Sequence, residues 1–398
     1  MSTVILLGDP HLGRSQNIGK VGLGSNLNSR VIDQFNLLDW TLDQAIDCHA
    51  DHIIITGDIF EDPKPSSTLI TLFISWLKKC QVYDVNVHII IGNHDILRTG
   101  NIYTSPLDII NEVELENVNI YKDINTVLIG TSAITFVPFR DRKSFSTNSS
   151  KEALEILNNS IMYELSSIPN VYNKILVGHL AIEGSIPVGD EIDDLTNELF
   201  CPINMFSGYD CVWMGHVHKP QIMHKSTPYI SHIGSMDISN FGETEQDKRI
   251  VIVNLDDIHN FYTKSLPTRP LRKIVIPIAL DAKDSTDYVI NELKKYDDLD
   301  KAIVRLDISI AASDAKSVNK QSIEKYLLSK GASNVSGIFE TKKMSLIKKD
   351  VVNIIDFQMD TLLAIKTYSE KYVDAVIKSE FIQLAMEILN EYKSEVKE

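Results

Sequence analysis

The sequence has few cysteines and no long apolar segment. Its four cysteines, Cys48, Cys80, Cys201 and Cys211, stand far apart without a C-x-x-C pair, so neither a disulfide framework nor a thiolate zinc site is predicted. This cysteine usage favours a reducing, cytoplasmic environment. No run approaches the ~18 consecutive apolar residues of a membrane span, and the first residues lack the basic flank of a signal peptide. We therefore predict neither membrane insertion nor export.

Positive charge is also scarce. The chain has 39 Lys and Arg against 54 Asp and Glu, which gives a formal net charge of -15. This balance excludes a protein coated in positive charge, so any contact with nucleic acid must rely on local basic patches. The sequence has no Walker A motif and no G-x-S-x-G, so ATP binding and serine hydrolysis are not predicted. The 398 residues, 43% of them hydrophobic, are enough for two or three packed domains.

Five short β-branched runs each end in a glycine that is followed by a metal-ligand type of residue. We interpret the runs as buried strands. The segments that follow them are Gly8-Asp9-Pro10-His11, Gly57-Asp58, Gly92-Asn93-His94-Asp95, Gly178-His179 and Gly215-His216-Val217-His218. Helical periodicity between the first three runs predicts alternating strands and helices, and therefore an α/β fold. In such folds polar chemistry gathers beyond the carboxyl ends of the strands, where all five segments would lie.

The five segments supply carboxylate, amide and imidazole groups but no thiolate. Such ligands suit Mn²⁺, Fe or Zn rather than an iron–sulfur cluster. Seven or eight ligands are too many for one first-row ion, and one carboxylate can bridge two ions. The sequence therefore predicts a two-metal centre of the kind that holds a phosphoryl group during in-line hydrolysis. The alternative interpretation is that these residues are capping or surface polar groups.

The composition changes after about Tyr262. A basic stretch without acids follows, formed by Lys264, Arg269, Arg272 and Lys273, which would be either DNA-backbone contacts or an ordinary solvated linker. A βαβαβ pattern then predicts a small domain over residues 272–340. Residues 350–398 have helical periodicity, and an apolar face from Phe381 to Tyr392 would either complete a small core or bind a partner helix.

In chain order, D-x-H, G-D, G-N-H-D, G-H and G-H-x-H resemble the motifs of the calcineurin-like metallophosphoesterases. Within that superfamily the sequence is similar to the SbcD-type nucleases, the bacterial and phage counterparts of the eukaryotic double-strand-break repair nuclease. Residues 215–221, and Gly234-Ser235 followed by Asn240-Phe241-Gly242-Glu243, carry this narrower resemblance. It implies a four-layer αββα metallophosphoesterase sandwich over residues 1–265, a small α+β capping domain over 272–340 and a C-terminal helical segment over 350–398.

The resemblance also implies a role for each ligand-type residue. One metal would be held by Asp9, His11, Asp58 and His218, and the other by Asp58, Asn93, His179 and His216. Asp58 would bridge the two ions. His94 would donate a proton or a hydrogen bond to the departing oxygen, and Asp95 would orient the His94 ring. Glu61 stands where relatives often carry Asp or His, is not counted as a ligand, and has a role that the sequence leaves open.

The implied activity is that of a Mn²⁺-dependent deoxyribonuclease in DNA repair and recombination, in a bacterial or phage-infected cell. It would be a 3′-to-5′ exonuclease on duplex ends and an endonuclease on single strands. Residues 350–398 would bind an SMC-like ATPase of the SbcC type. A homodimer would form through the helix with Leu69, Leu72, Phe73 and Trp76, although core burial is the competing explanation for these residues. The alternative functions are a small-molecule phosphodiesterase or phosphatase, and a DNA-tethering scaffold.

Overall fold

The computed structural model describes residues 2–22, 26–99, 102–188, 198–278, 284–310, 318–342, 381 and 383–385. Three long helices are α1 (Ser29–Asp47), α2 (Ser67–Val82) and α4 (Ser150–Ser167). α1 and α2 begin where a polar side chain, Asn28 or Ser66, accepts a hydrogen bond from a backbone N–H of the first turn. These two helices confirm the predicted alternation of strand and helix.

Six strands form the first sheet. In spatial order they are β16 (Phe261–Ser265), β15 (Arg249–Asn254), β1 (Thr3–Leu7), β2 (His52–Ile55), β3 (Asn86–Ile90) and β6 (Val118–Tyr121). The four strands from β1 to β6 are parallel, so their carboxyl ends lie at one edge of the sheet. β15 pairs antiparallel with β1, with Ile5 opposite Ile252.

Six other strands form the second sheet. In spatial order they are β13 (Gln221–His224), β14 (Tyr229–His232), β12 (Cys211–Met214), β9 (Asn173–Gly178), β8 (Ser132–Val137) and β7 (Asn125–Ile129). The inner four are parallel, and Met214 of β12 pairs with Gly178 of β9. The strands that precede His179 and His216 are therefore neighbours that end side by side.

The two sheets share a core, and helices cover their outer faces. Along β1, Val4 and Leu6 pack between the sheets with Trp213, whereas Ile5 and Leu7 pack with apolar residues of α1 and α2. The apolar face of α4 packs on the other side of the second sheet. Because alternate residues of one strand serve two different cores, the strands are buried on both faces. This arrangement confirms the predicted four-layer αββα sandwich.

Short elements connect these layers. They are the helix α3 (Leu107–Asn111), the hairpin of β4 (Leu97–Thr99) and β5 (Ile102–Thr104), and the pair β10 (Ala181–Ile182) and β11 (Phe200–Cys201). Among the described residues, no helix has the length and apolar character that crossing a membrane would require.

The predicted βαβαβ order is confirmed. Its elements are β17 (Leu271–Ile278), α5 (Ser285–Leu293), β18 (Ile303–Ile310), α6 (Lys320–Ser329) and β19 (Asn334–Lys342). The described residues form two compact units, of which the first contains the described parts of 1–274, 290–307 and 319–338, and the second contains the remainder. The three strands are hydrogen bonded in the order β17, β18, β19. The predicted domain boundaries stay predictions, and the segment 350–398 lies outside the described residues except for 381 and 383–385, which are helical.

Candidate metal centre

The five predicted segments meet at the carboxyl ends of the parallel strands. Two backbone-to-carboxylate hydrogen bonds join them: the His216 N–H donates to Asp9 Oδ2 at 2.7 Å, and the His94 N–H donates to Asp58 Oδ1 at 2.8 Å. The first of these bonds links the loop after β12 to the loop after β1, and therefore links one sheet to the other. The parallel arrangement of each sheet thus brings together residues that are 207 positions apart in the chain.

Glycine precedes the ligand-type residues because side chains from neighbouring strand ends pack against it. A Cβ atom on Gly92 would lie 2.0 Å from Asp58 Oδ1, and one on Gly57 would lie 2.4 Å from His179 Nδ1. Gly57 also has φ +111°, a conformation that other residues rarely adopt. The glycine-then-ligand pattern of the sequence therefore reflects close packing of the strand ends around the ligand side chains.

Three ligand-type residues adopt a left-handed backbone conformation. The φ angle is 43° at His11, 49° at Asp58 and 73° at His216. Non-glycine residues occupy this region at a cost of order 1–3 kcal/mol each, and such strain clusters at functional sites. The backbone strain is therefore an indication of function that does not depend on the side-chain types.

The first cluster of ligand-type residues contains Asp9, His11, Asp58 and His218. His11 Nε2 lies 3.0 Å from His218 Nε2 and 3.6 Å from Asp58 Oδ2. Asp9, His11 and His218 each have a ligand atom within 4.8 Å of the others. All four residues are buried. Two ring nitrogens that face each other beside carboxylates form a nitrogen and oxygen donor set that fits a first-row divalent cation.

The second cluster contains Asp58, Asn93, His179 and His216. Asn93 Oδ1 lies 3.0 Å from both His179 Nε2 and His216 Nδ1, and His179 Nε2 lies 3.2 Å from Asp58 Oδ2. His179 Nδ1 donates to the Thr56 carbonyl oxygen at 2.7 Å, so in the neutral ring the lone pair is on Nε2 and faces these oxygens. Converging lone pairs require a proton or a cation between them, which fits a second metal ion. Asp58 belongs to both clusters, where a bridging ligand would lie.

The buried charges shift the pKa values of these residues. Burial lowers the pKa of His179, but Asp58 and Asp9 outweigh it and raise that pKa to about 10. Burial opposes ionisation of Asp58, but His179, followed by His94, brings its pKa well below the usual value. Burial lowers the pKa of His11 and of His216, so both rings are neutral near pH 7 and offer lone pairs. His11 and His216 therefore present neutral imidazoles, whereas His179 holds a proton beside Asp58 and Asp9 that a bound cation would replace.

A carboxylate stands behind each of the two histidines of the first cluster. His11 Nδ1 lies 2.9 Å from Glu61 Oε2, and His218 Nδ1 lies 3.5 Å from Glu243 Oε1. Glu243 is fully buried and pairs with Lys248 Nζ at 2.8 Å. Lys248 Nζ also donates to the His218 carbonyl oxygen at 3.0 Å. His11 Nδ1 and Glu61 Oε2 do not meet in hydrogen-bond geometry, so Glu61 acts on the His11 ring through its charge. Glu243 is placed to favour a proton on His218 Nδ1, the role that carboxylates behind ligand histidines commonly have.

His94 lies beside the first cluster, with its ring centroid 4.8 Å from that of His11. His94 Nδ1 donates to the Glu61 carbonyl oxygen at 2.8 Å. Asp95 is fully buried, and its carboxylate accepts three backbone N–H groups instead of contacting the ring. These donors are Gly92, Ile59 and Phe60, at 3.0, 3.2 and 3.3 Å. The prediction that Asp95 orients the His94 ring is therefore wrong: the Glu61 carbonyl orients it, while Asp95 fastens the loop after β3 to the loop after β2.

The four basic residues predicted to contact DNA have partners within the protein. These partners are Gln44 for Lys264, Asp33 for Arg269, Asp298 for Arg272 and Asp307 for Lys273. Arg269 makes two hydrogen bonds to Asp33, at 2.6 and 2.5 Å, and a third to the Lys301 carbonyl at 3.0 Å. Because these bonds use all three guanidinium nitrogens, Arg269 has a structural role. DNA contact by the other three stays a prediction.

The apolar residues of α2 are used within the chain's own core. Phe73 and Trp76 are only 0% and 2% exposed, Leu69 is buried, and Leu72 packs against the same core. Burial in the core therefore accounts for these residues. Homodimer formation stays a prediction, but these side chains do not support it.

Comparison with known proteins places this arrangement in a family. The sequence model of the family described as calcineurin-like phosphoesterase matches residues 2–220, which include every segment from Asp9 to His218. The SbcD subunit of the SbcCD nuclease of Staphylococcus epidermidis is 26% identical over 64% of this chain and 69% of its own length. The same subunit of Staphylococcus saprophyticus is 26% identical over 69% of this chain and 70% of its own length. The DNA double-strand break repair protein Mre11 of Methanosarcina mazei is 21% identical over 89% of this chain and 52% of its own length. Since the family match covers more than half of the chain and includes both ligand clusters, the protein belongs to the calcineurin-like phosphoesterases.

Proposed function

We propose that this protein is a metal-dependent nuclease that hydrolyses phosphodiester bonds of DNA. The observation that carries the proposal is the pair of buried ligand clusters that share Asp58. A shared carboxylate between two nitrogen and oxygen donor sets is the arrangement that two-metal phosphoesterases need. The names of the relatives, which are the SbcD subunit of the SbcCD nuclease and the DNA double-strand break repair protein Mre11, support DNA as the substrate.

The centre would hold two divalent cations, with Mn²⁺ the expected metal. When bound, such ions stabilise the charge that develops on the phosphoryl group and lower the pKa of a water molecule between them. The ligands would be Asp9, His11, Asp58 and His218 for one ion, and Asp58, Asn93, His179 and His216 for the other. The protein's own contribution is to hold these side chains in place through its strand ends and to set the carboxylates of Glu61 and Glu243 behind His11 and His218.

His94 is the residue proposed to act on the leaving oxygen. Burial lowers the pKa of His94, but Asp58 outweighs it and raises that pKa, which favours the doubly protonated ring. Because Nδ1 donates to the Glu61 carbonyl, Nε2 of this imidazolium is the atom that can deliver a proton or a hydrogen bond elsewhere. One ligand atom of His94 lies within 4.8 Å of those of His11 and Asp58, so the ring would be next to a phosphate bound at the metal centre. This role differs from metal binding, and the two can be separated by mutation.

The decisive experiment compares substrates. Purified protein with Mn²⁺ is assayed on end-labelled duplex DNA, on single-stranded DNA and on a chromogenic phosphodiester. We expect 3′-to-5′ digestion of duplex ends, endonucleolytic cleavage of single strands and slower hydrolysis of the small ester. Hydrolysis of the ester alone, with or without an ATPase partner, would favour a small-molecule phosphodiesterase. Binding of DNA without hydrolysis of any substrate would favour a tethering scaffold.

The proposed partner is an SMC-like ATPase of the SbcC type, bound by residues 350–398. Relatives whose name makes them one subunit of the SbcCD nuclease support the existence of a partner subunit. Truncation after Lys349 should abolish co-purification with such an ATPase while Mn²⁺-dependent hydrolysis of the small ester persists. A truncated protein that still binds the ATPase would contradict this assignment.

A further inference from the structure

A groove of about 840 Å³ opens beside the metal centre. Phe139 lies in its lining and also contacts the centre, with its ring centroid 5.7 Å from that of His216 and 6.2 Å from that of His179. The hairpin of β4 and β5 contributes Arg98 and Tyr103 to the lining. The remainder of the lining includes hydroxyl and amide side chains of the segment that precedes α4. The groove is therefore polar and adjoins the second cluster through Phe139.

Positive charge dominates this groove. Arg98, Arg140 and Lys143 line it, and Asp123 is the only carboxylate among its described lining residues. The surplus of positive charge stands out in a protein whose formal net charge is -15. A local cationic surface of this kind attracts phosphate groups even when the protein as a whole is acidic.

The two arginines are held in fixed orientations. The Arg98 guanidinium pairs with Asp141 at 2.7 Å. That of Arg140 donates to the carbonyl oxygens of Phe139 and Lys122 at 2.9 and 2.8 Å and pairs with the exposed Asp123 at 3.2 Å. An arginine has five N–H donors, so these bonds fix each guanidinium without using all of its donors. Groups fixed in this way lose little conformational freedom when a phosphate binds.

The groove continues along α4. A second cavity of about 510 Å³ is lined by Asp123 and Arg140 as well, and also by Tyr163 and Glu164. Tyr103 is 43% exposed and Tyr163 is 74% exposed. Tyr103 lies among the three basic residues of the groove, and Tyr163 lies further along, past Arg140. Exposed aromatic rings are surfaces on which unpaired bases stack in proteins that bind single strands.

We propose that this groove, from Phe139 past Arg140 to Tyr163, holds a single nucleic-acid strand on one side of the scissile bond. Lys143 and the two arginines would contact its phosphates, and Tyr103 and Tyr163 would stack on its bases. The inference rests on the proposed nuclease function. It assigns the surface that binds the nucleic-acid strand to residues outside the metal-ligand motifs. A duplex would not fit this role, because stacked and paired bases are not available to the tyrosine rings.

The test measures affinity and its salt dependence with the Mn²⁺-loaded protein and a hydrolysis-resistant phosphorothioate oligonucleotide. The variants are Lys143→Gln and Tyr103→Ala. The matched control is Lys225→Gln, which removes the same charge from the exposed turn between β13 and β14, at the opposite edge of the second sheet. Hydrolysis of the chromogenic phosphodiester by each variant reports whether the fold and the metal centre are intact.

We expect Lys143→Gln to weaken binding several-fold and to reduce the slope of log affinity against log salt by about 0.7, the value for one lost phosphate contact on a single strand. Tyr103→Ala should weaken binding without changing the slope, since stacking involves no counterion release. Lys225→Gln should change neither quantity, and all three variants should hydrolyse the small ester at the wild-type rate.

Two results would overturn the proposal, and they differ in what else they refute. Wild-type cleavage of DNA together with unchanged affinity and slope in Lys143→Gln and Tyr103→Ala would refute the groove alone. Hydrolysis of the small ester by wild-type protein that neither binds nor cleaves DNA would refute both the groove and the proposed nuclease function.

Discussion

The strand ends around Asp58 and the basic stretch from Lys264 to Lys273 were both identified in the sequence by residue type, but the structure uses them differently. At the strand ends, parallel pairing brings ligand-type residues from distant segments to within 3.0–3.6 Å of one another. In the basic stretch, the charged groups bond to partners in the same chain. The role of a residue could therefore be predicted where its place at a strand end determines its neighbours. A cluster of basic residues in the sequence does not show which groups of the folded chain will pair with them.

The largest expected effect is that of removing the residue common to both clusters. Asp58→Ala should lose both metals and all phosphodiesterase activity, because its carboxylate lies next to His11 and His179 at once. Elemental analysis of the purified variant measures metal content, and the chromogenic ester measures the rate. Asp39→Ala, which removes an exposed carboxylate from α1, is the matched control and should keep both. An Asp58→Ala protein that retains two metals would show that the strand ends do not form the centre proposed above.

His94→Ala should have the next largest effect, and on rate alone. Loss of a positioned general acid lowers the rate by roughly 10²–10⁴-fold. This range corresponds to about 3–5 kcal/mol of transition-state stabilisation at ~1.4 kcal/mol per tenfold. Both metals should remain, and DNA should still bind. Loss of metal from this variant would make His94 a ligand, and cleavage of DNA at the wild-type rate would refute its catalytic role.

Glu243→Gln tests whether the carboxylate behind His218 strengthens metal binding. The carboxylate behind His218 is expected to contribute roughly 10–100-fold in metal affinity, as other supporting partners of metal ligands do. Calorimetric titration of the metal-free protein with Mn²⁺ should therefore show one of two sites weakened. Asp141→Asn, a carboxylate change outside the centre, serves as the control, and equal titration curves for Glu243→Gln and wild type would contradict the role of Glu243.

Glu243 and Lys248 also show where prediction of the site from sequence ends. Every proposed ligand follows a strand and a glycine, so its place at the sheet edge could be predicted from local pattern. Glu243 was noticed only as part of a segment shared with nucleases, and Lys248 carries no motif. Their contact with His218 spans 25 and 30 positions and depends on how the chain returns from β14 to β15. The Asp95 error has the same cause, because adjacency to His94 in sequence does not determine which groups its carboxylate faces.

The fold divides in a similar way. The apolar runs that form β1, β2, β3, β9 and β12 could be identified in the sequence, because these strands are buried on both faces and each run stops at a glycine. β6, β7 and the fully buried β8 were not predicted, since none of them is followed by a glycine and then a ligand-type residue. No local signal assigns strands to one sheet or the other. The four-layer arrangement was expected only from the resemblance to a family.

The smallest expected effect is that of changing Arg269 in the basic stretch. This residue tests most directly whether the basic stretch is used for internal pairing rather than for substrate. Asp33 accepts hydrogen bonds from both Arg269 and the fully buried Arg30, and Arg30 in turn contacts Asp237 at 2.5 Å. Removing one partner of a buried ion pair costs about 3–5 kcal/mol. Arg269 is partly open to water and leaves Asp33 with Arg30, so we expect Arg269→Met to lose only about 1–2 kcal/mol of stability.

The measurement is the midpoint of thermal unfolding beside the affinity for single-stranded and duplex DNA. Arg269→Met should lower the midpoint, whereas Arg305→Met, which removes a more exposed arginine paired with Asp307, should lower it less. DNA affinity and its salt slope should match wild type for Arg269→Met, because the buried Asp33 carboxylate accepts two hydrogen bonds from the guanidinium and neutralises its charge. A variant with the wild-type midpoint but a weaker, less salt-dependent affinity for DNA would reverse the assignment. Arg269 would then belong to the substrate-binding surface. The basic pattern of the sequence would in that case have predicted function as well as the position of residues at strand ends did.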